Sequence, residues 1–248
     1  MVLPDLKGNG AERVAMTLAD GFISNGHSVH MVLFKNFIEL KSKNKIKIHL
    51  FKRHYRWIPR SVRGLLIAPI LDRFIVNKCG HPDLILSFLL PVDRILCRSK
   101  LKNVFLSIVN TPSHDFFKNL SGKVLEKEVT RFRNIYTRKP SISISKDVQK
   151  DFNSFFGKNN SHQIYGPSDV DYLRFLSKST WLHSNLSNYI VHVAKFKEQK
   201  RHDILIKAYA KSGVDEQLVL LGQGPLKEKA RNLVELLNIQ DKVIFAGY

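Results

Sequence analysis

Hydrophobic and polar positions alternate along this chain in two rhythms, short β-branched or leucine-rich runs and longer stretches with helical spacing. A polar, glycine-bearing segment, Asp5–Gly10, leads into a helix predicted over Ala11–Asn25, with Val14, Leu18 and Phe22 as its apolar stripe and Gly26 as its stop. A strand is predicted over Val29–Phe34, and further strand-like runs fall at Ile46–Phe51, Leu84–Phe88, Val104–Val109, Ser141–Ser145 and Gln163–Tyr165. Helical spacing marks Val62–Asn77, Val124–Tyr136 and Lys146–Phe155. Strands and helices alternating at this pace predict an α/β protein whose parallel sheet is covered on both faces.

The rhythm lapses between about Gly166 and Asn188, where Pro167 and many Ser and Asn residues make a linker. It then restarts with strand Tyr189–Ala194, helix Arg201–Ser212, strand Gln217–Leu221, loop Gly222–Pro225, helix Leu226–Leu237 and strand Lys242–Ala246. The expected organisation is a first domain over residues 1–168, a linker over 169–188, and a smaller domain over 189–248.

Composition narrows the class. Apolar residues at 44% and charged residues at 25% belong to a globular protein, and the apolar runs are too short to span a bilayer. Cys79 and Cys97 show no CxxC or Cys/His spacing, so the local sequence predicts neither a disulfide framework nor a zinc site. No secretory signal segment opens the chain, and a reducing cytoplasm fits best.

Net charge changes the picture more. The chain carries +19, and residues 186–248, with ten basic and seven acidic side chains, hold little of it. Nine basic residues and no acidic one lie between Lys41 and Arg63: Lys41, Lys43, Lys45, Lys47, Lys52, Arg53, Arg56, Arg60 and Arg63, with Trp57 among them. Such a patch attracts polyanions, and the apolar segment after it, Gly64–Lys78, reads either as an amphipathic surface helix interrupted at Pro69 or as an ordinary core helix. An anionic membrane surface is therefore a candidate partner. No nucleic-acid motif is present and nucleic acid is not expected.

Candidate chemistry concentrates at strand-to-helix turns. Lys195 and Lys200 follow the strand at Tyr189–Ala194 and precede a helix, a placement that offers two cations and backbone N–H groups to a diphosphate. Gly8 and Gly10 precede the first helix, where a missing Cβ lets N–H groups approach a phosphate. A dinucleotide-binding epimerase would need a third glycine, at Arg13, and a ribose-binding acid, neither of which is evident.

Four segments in order resemble the GT-B glycosyltransferases of family 4, which build lipopolysaccharide and capsule: residues 8–34 (GNGAERVAMTLADGFISNGHSVHMVLF), 142–152 (ISISKDVQKDF), 164–173 (IYGPSDVDYL) and 189–247 with VAKFKEQKRHDILIKAY and LVLLGQGPLKEKA. The resemblance implies two Rossmann-like parallel-sheet domains facing a cleft, the second incomplete. It implies a retaining, metal-independent transfer of a sugar from a nucleotide-diphosphate sugar to a surface-glycan or lipid-linked acceptor, with no cofactor. Lys195 and Lys200 then neutralise the departing diphosphate, although the family usually has Arg where Lys195 stands. Gly8 and Gly10 supply backbone donors. Gly222 and Gly224 either line the donor pocket or make a tight turn. Asn110 and His114, at a strand end that resembles the acceptor side, are the catalytic candidates.

Glu12 and Arg13 match the opening motif, the first as a helix N-terminus residue and the second as a surface or domain-closure residue. His27 is expected to be structural. The resemblance also implies a first strand reduced to Met1-Val2-Leu3 and the loss of a Glu-x7-Glu element beyond Tyr248. The chain is thus expected to be a fragment with little activity, peripheral on the cytoplasmic face of the inner membrane, or else a non-catalytic glycan- or membrane-binding relic.

Overall fold

The computed structural model describes residues 1–40, 42, 44–52, 58–157, 161–178 and 188–247. The chain divides into two compact units, Met1–Tyr172 and Leu173–Tyr248. The first contains β1 (Val2–Leu3), α1 (Gly10–Ser24), β2 (His30–Leu33), β3 (Lys47–Leu50), α2 (Arg60–Cys79), β4 (Ile85–Phe88), α3 (Leu90–Leu96), β5 (Val104–Ile108), α4 (Pro112–Asp115), α5 (Gly122–Tyr136), β6 (Ser141–Ser143), α6 (Lys146–Phe156) and β7 (Ser161–Gln163). Helix α7 (Val170–Leu176) spans the division in sequence, and the second unit contains β8 (Tyr189–Val193), α8 (His202–Ser212), β9 (Gln217–Leu221), α9 (Lys227–Leu236) and β10 (Val243–Gly247).

The seven strands of the first unit pair in parallel in the order β3-β2-β1-β4-β5-β6-β7. The order reverses between β1 and β4, the switch point at which open parallel sheets bind ligands beyond the C-terminal ends of their strands. Short as it is, β1 occupies an inner position, with Val2 opposite both Val32 and Ser87. Both of its side chains are buried.

One face of the sheet packs on α1, where Ala15, Met16 and Ala19 meet Leu3, Met31, Leu33 and Phe88. The expected stripe of Val14, Leu18 and Phe22 is only half buried beside them. Small side chains at 15 and 19 let the helix approach the strands closely, which moves the contact line by one position. The other face packs on α2 and α3 through Ile67, Leu71, Ile75, Ile95 and Leu96. Helix α2 runs without a break through the exposed Pro69, so its C-terminal half is the core helix of the two readings above. Gly64 is buried where α2 crosses α3, and a Cβ there would collide with the Arg94 carbonyl oxygen.

One strand boundary and two helices differ from expectation. Strand β7 covers Ser161–Gln163, because Ser161 registers with Ser141 and Gln163 with Ser143. The apolar pair Ile164 and Tyr165 that drew the expected strand to 163–165 lies beyond the ladder and is exposed. Helix α3 was hidden in the continuous apolar run 84–92, and α7 inside the expected linker, where Asp169 accepts a hydrogen bond from the Tyr172 N–H at 2.9 Å.

The second unit is a three-stranded parallel sheet in the order β10-β9-β8. Its core gathers Phe196, Ile206, Leu218, Leu220 and Val234 between the sheet and helices α8 and α9.

Candidate functional site

The C-terminal edge of the second sheet is built by mutual hydrogen bonding of its three strand ends. Ala194 N–H donates to Leu221 at 3.0 Å, Phe196 N–H to Gln223 at 3.0 Å, Leu226 N–H to Phe196 at 3.1 Å, and Gly222 N–H to Gly247 at 2.7 Å. This contact is so close that side chains cannot enter it. Gly222 and Gly224 have φ of +151° and +157°, and a Cβ on Gly224 would lie 2.5 Å from the Phe196 carbonyl oxygen, while one on Gly222 would overlap the Ala194 carbonyl. The tight-turn role proposed for these glycines is thus required by packing alone.

Phe196 anchors the turn after β8. It is fully buried and stacks on His202 at 4.1 Å between ring centroids. Its neighbours Lys195 and Lys197 are exposed, as is Lys200 in the 3-10 turn Glu198–Lys200. A basic turn is therefore held on an apolar peg, with Lys200 N–H donating to Lys197 at 3.0 Å. Lys197 was not singled out from sequence, because it lies outside the spacing that drew attention to its neighbours. The adjoining Arg201 adopts φ +45° and forks onto Asp203 at 3.0 Å through both Nε and Nη2. That hydrogen bond holds the Asp203 carboxyl down at about 2. Asp203 also accepts from the N–H groups of Ile204 and itself, so the start of α8 has its own carboxylate.

In the first unit, Gly8 and Gly10 lie at the C-terminal edge, in the turn from β1 to α1. Gly8 has φ +78° and a Cβ there would lie 3.5 Å from Leu40, whereas one on Gly10 would meet nothing within 4 Å. Glu12 is buried in the first turn of α1, accepts from Asn9 Nδ2 at 3.1 Å, and has no partner for Oε2 among the described residues. Arg13 reaches back from α1, donating through Nε to the Gly8 carbonyl at 3.2 Å, which latches the turn.

At the end of the neighbouring strand, Leu89 follows β4 with φ +71°, a conformation strained for a side chain of its size. Its carbonyl accepts from Val92 at 3.0 Å and Asp93 at 3.1 Å. Asp93 is buried, bonded by Ser87 Oγ and by Tyr136 Oη at 3.3 Å. Burial pushes its carboxyl up to about 7, against the opposing pull of those hydrogen bonds. Asn110 and His114 also lie at this edge, after β5, and both turn to Asp115: Asn110 Nδ2 donates to it at 2.8 Å and His114 Nδ1 lies 3.6 Å from it. Asp115 is the member of this trio that the sequence did not mark. His27 packs edge-on against Phe22 at 5.7 Å.

Of the basic patch, Lys45, Lys47 and Lys52 are exposed, and Arg63 donates twice to the Ile58 carbonyl, at 2.8 and 3.2 Å. Arg60 opens α2, and Lys41, Lys43, Arg53, Arg56 and Trp57 lie outside the described residues. On the first half of α2, Val62, Leu65 and Leu66 form an exposed apolar stripe. Nearby, Arg94, Arg98, Lys127, Arg131 and Arg138 line a cavity of about 590 Å³ that Gly64 also borders. No helix among the described residues is long and apolar enough to cross a membrane.

Residues 177–248 match the family model of glycosyl transferases group 1. Over 60 residues, 24% of the chain and 16% of the relative, it is 38% identical to N-acetylgalactosamine-N,N'-diacetylbacillosaminyl-diphospho-undecaprenol 4-alpha-N-acetylgalactosaminyltransferase of Campylobacter jejuni. An uncharacterized glycosyltransferase of Haemophilus influenzae is 24% identical over 95% of the chain, which spans 64% of that relative. Among solved structures, Anabaena HepE in complex with UDP and glucose superposes with a TM-score of 0.67 at 17% identity, over 100% of this chain and 68% of HepE. The fold is α/β of the GT-B type, with two parallel-sheet units.

Proposed function

We propose that this chain serves transfer of a sugar from a nucleotide-diphosphate sugar to a surface-glycan or lipid-linked acceptor, retaining and independent of metal. The second unit takes the donor. The observation that carries the proposal is the turn after β8, where buried Phe196 and the Gly222–Gly224 contact hold Lys195, Lys197 and Lys200 at the C-terminal edge of the sheet. Charge on a departing diphosphate is the principal load in such a reaction, and preorganised cations offset it without reorganisation. The family match over 177–248 covers this same segment. In the first unit, the start of α1 at Gly8–Gly10 offers further backbone donors, and Asn110, His114 and Asp115 offer an acid–base group with its orienting carboxylate on the acceptor side.

UDP is the first probe, since it is the nucleotide bound by HepE. Titration calorimetry should give saturable UDP binding, weakened about tenfold (~1.4 kcal/mol) by Lys195→Ala and similarly by Lys200→Ala. Binding indifferent to both substitutions removes the donor assignment. The membrane part of the proposal rests on the exposed Val62, Leu65 and Leu66 beside the basic segment. It predicts co-sedimentation with anionic vesicles that falls in Leu65→Asp/Leu66→Asp and in high salt. Equal recovery with neutral and anionic vesicles would count against it.

A further inference from the structure

The opposite, N-terminal edge of the seven-stranded sheet holds a cluster that no local motif announces. His30 opens β2, His49 lies on the adjacent β3, and Cys79 ends α2. One nitrogen from each imidazole and the Cys79 sulfur lie within 4.8 Å of one another. The two rings stack at 5.0 Å and 20°, with His30 Nδ1 2.9 Å from His49 Nε2. All three side chains are half buried, and beside them lies a cavity of about 480 Å³ bordered by His30 and Cys79 and also by His27, His81 and Asp83.

We propose that His30, His49 and Cys79 form a binding site for a borderline-soft divalent cation of the Zn²⁺ type. The donor set is the first argument. Two imidazoles and a thiolate suit zinc, whereas Mg²⁺ and Ca²⁺ need oxygen ligands that this trio does not supply. Placement is the second: the three donors come from β2, β3 and the end of α2, and the cavity bordered by His30 and Cys79 leaves room for a further ligand.

Geometry is the third argument. Bonds of about 2.0–2.3 Å in a tetrahedron put ligand atoms roughly 3.3–3.7 Å apart. The rings must therefore part slightly from 2.9 Å, and the sulfur must close from no more than 4.8 Å, movements within side-chain reach. A direct hydrogen bond between the imidazoles explains their contact but gives Cys79 no role. On binding, the Cys79 S–H bond breaks, the S–metal bond forms and the proton leaves to solvent. The fourth ligand position opens onto the cavity. Because the cluster sits at the edge of this sheet opposite the Gly8–Gly10 turn and the strained Leu89, the ion ties β2, β3 and α2 together and takes no part in sugar transfer.

Cobalt titration of the chelator-treated 248-residue chain tests this. The expected result is one Co²⁺ per chain, a near-ultraviolet thiolate-to-metal charge-transfer band, and its displacement by Zn²⁺. The band should vanish in Cys79→Ser, persist in Cys97→Ser, and require at least tenfold more metal in His49→Gln. A wild-type chain that shows no such band ends the proposal without any variant. A band that survives Cys79→Ser in a chain with native circular dichroism places the metal elsewhere and likewise overturns it.

Discussion

Two glycine turns do the same topological job in the two units and differ in what requires the glycine. Gly222 and Gly224 carry a strand into a helix while pressed against the backbone of residues 194–196, where a Cβ has no room. Gly8 and Gly10 also carry a strand into a helix, but Gly8 is set by its positive φ and Gly10 has open space around it. The protein's own packing thus accounts for Gly222 and Gly224 in full and leaves Gly10 unaccounted for. A glycine that costs helix stability and relieves no internal contact is consistent with an external group that approaches the backbone there.

The support beneath the two edges differs as well. The edge of the second unit is fastened by backbone hydrogen bonds and a buried phenylalanine, none of which titrates near neutrality. In the first unit, the strained turn at Leu89 rests on a buried carboxyl that does.

The largest effect expected is from Gly224→Ala, which should destabilise the second unit by about 3 kcal/mol or more, read as a lowered urea midpoint. A wild-type midpoint would show that the close contact with Phe196 is not obligatory. Next is Asp93. Its folded pKa of about 7 lies above its ordinary value of 3.8, so the native state alone binds this proton between those limits. The stabilisation from Asp93 is complete below about pH 4 and is lost as pH rises through 7, at a slope of no more than about 1.4 kcal/mol per pH unit. Asp93→Asn should flatten that part of the stability profile, and an unchanged profile would refute the assignment. The smallest effect on stability is Gly10→Ala, expected to be neutral or to stabilise by up to about 1 kcal/mol. A large loss would erase the contrast between the two turns, because it would mean that Gly10, too, serves internal packing.

Much of the fold was legible because hydrophobic periodicity is a local signal. Strands at Val29–Phe34, Leu84–Phe88, Val104–Val109, Tyr189–Ala194 and Gln217–Leu221 each contain the observed strand, and most helices fell within a few residues of their predicted spans. The misses have physical causes. Helix α3 begins inside an apolar run that strands and helices share, and α7 has no buried residue and hence no stripe to read. Among site residues, Lys195 and Lys200 stood out through their place between a strand and a helix. Lys197 and Asp115 did not, because their significance lies in what neighbouring backbone and side chains do with them.

By itself the sequence determined the alternation of strands and helices, the two parallel sheets, and the position of the basic turn after β8. Those follow from side-chain periodicity and turn chemistry, which act over a few residues. Only the tertiary structure decided which glycines are packing necessities, that Asn110 and His114 share Asp115, and that His30, His49 and Cys79 meet at one end of the sheet. The reason is the parallel topology. It places β2, β3 and the end of α2 side by side although they are separated by many residues, and no local pattern encodes that meeting.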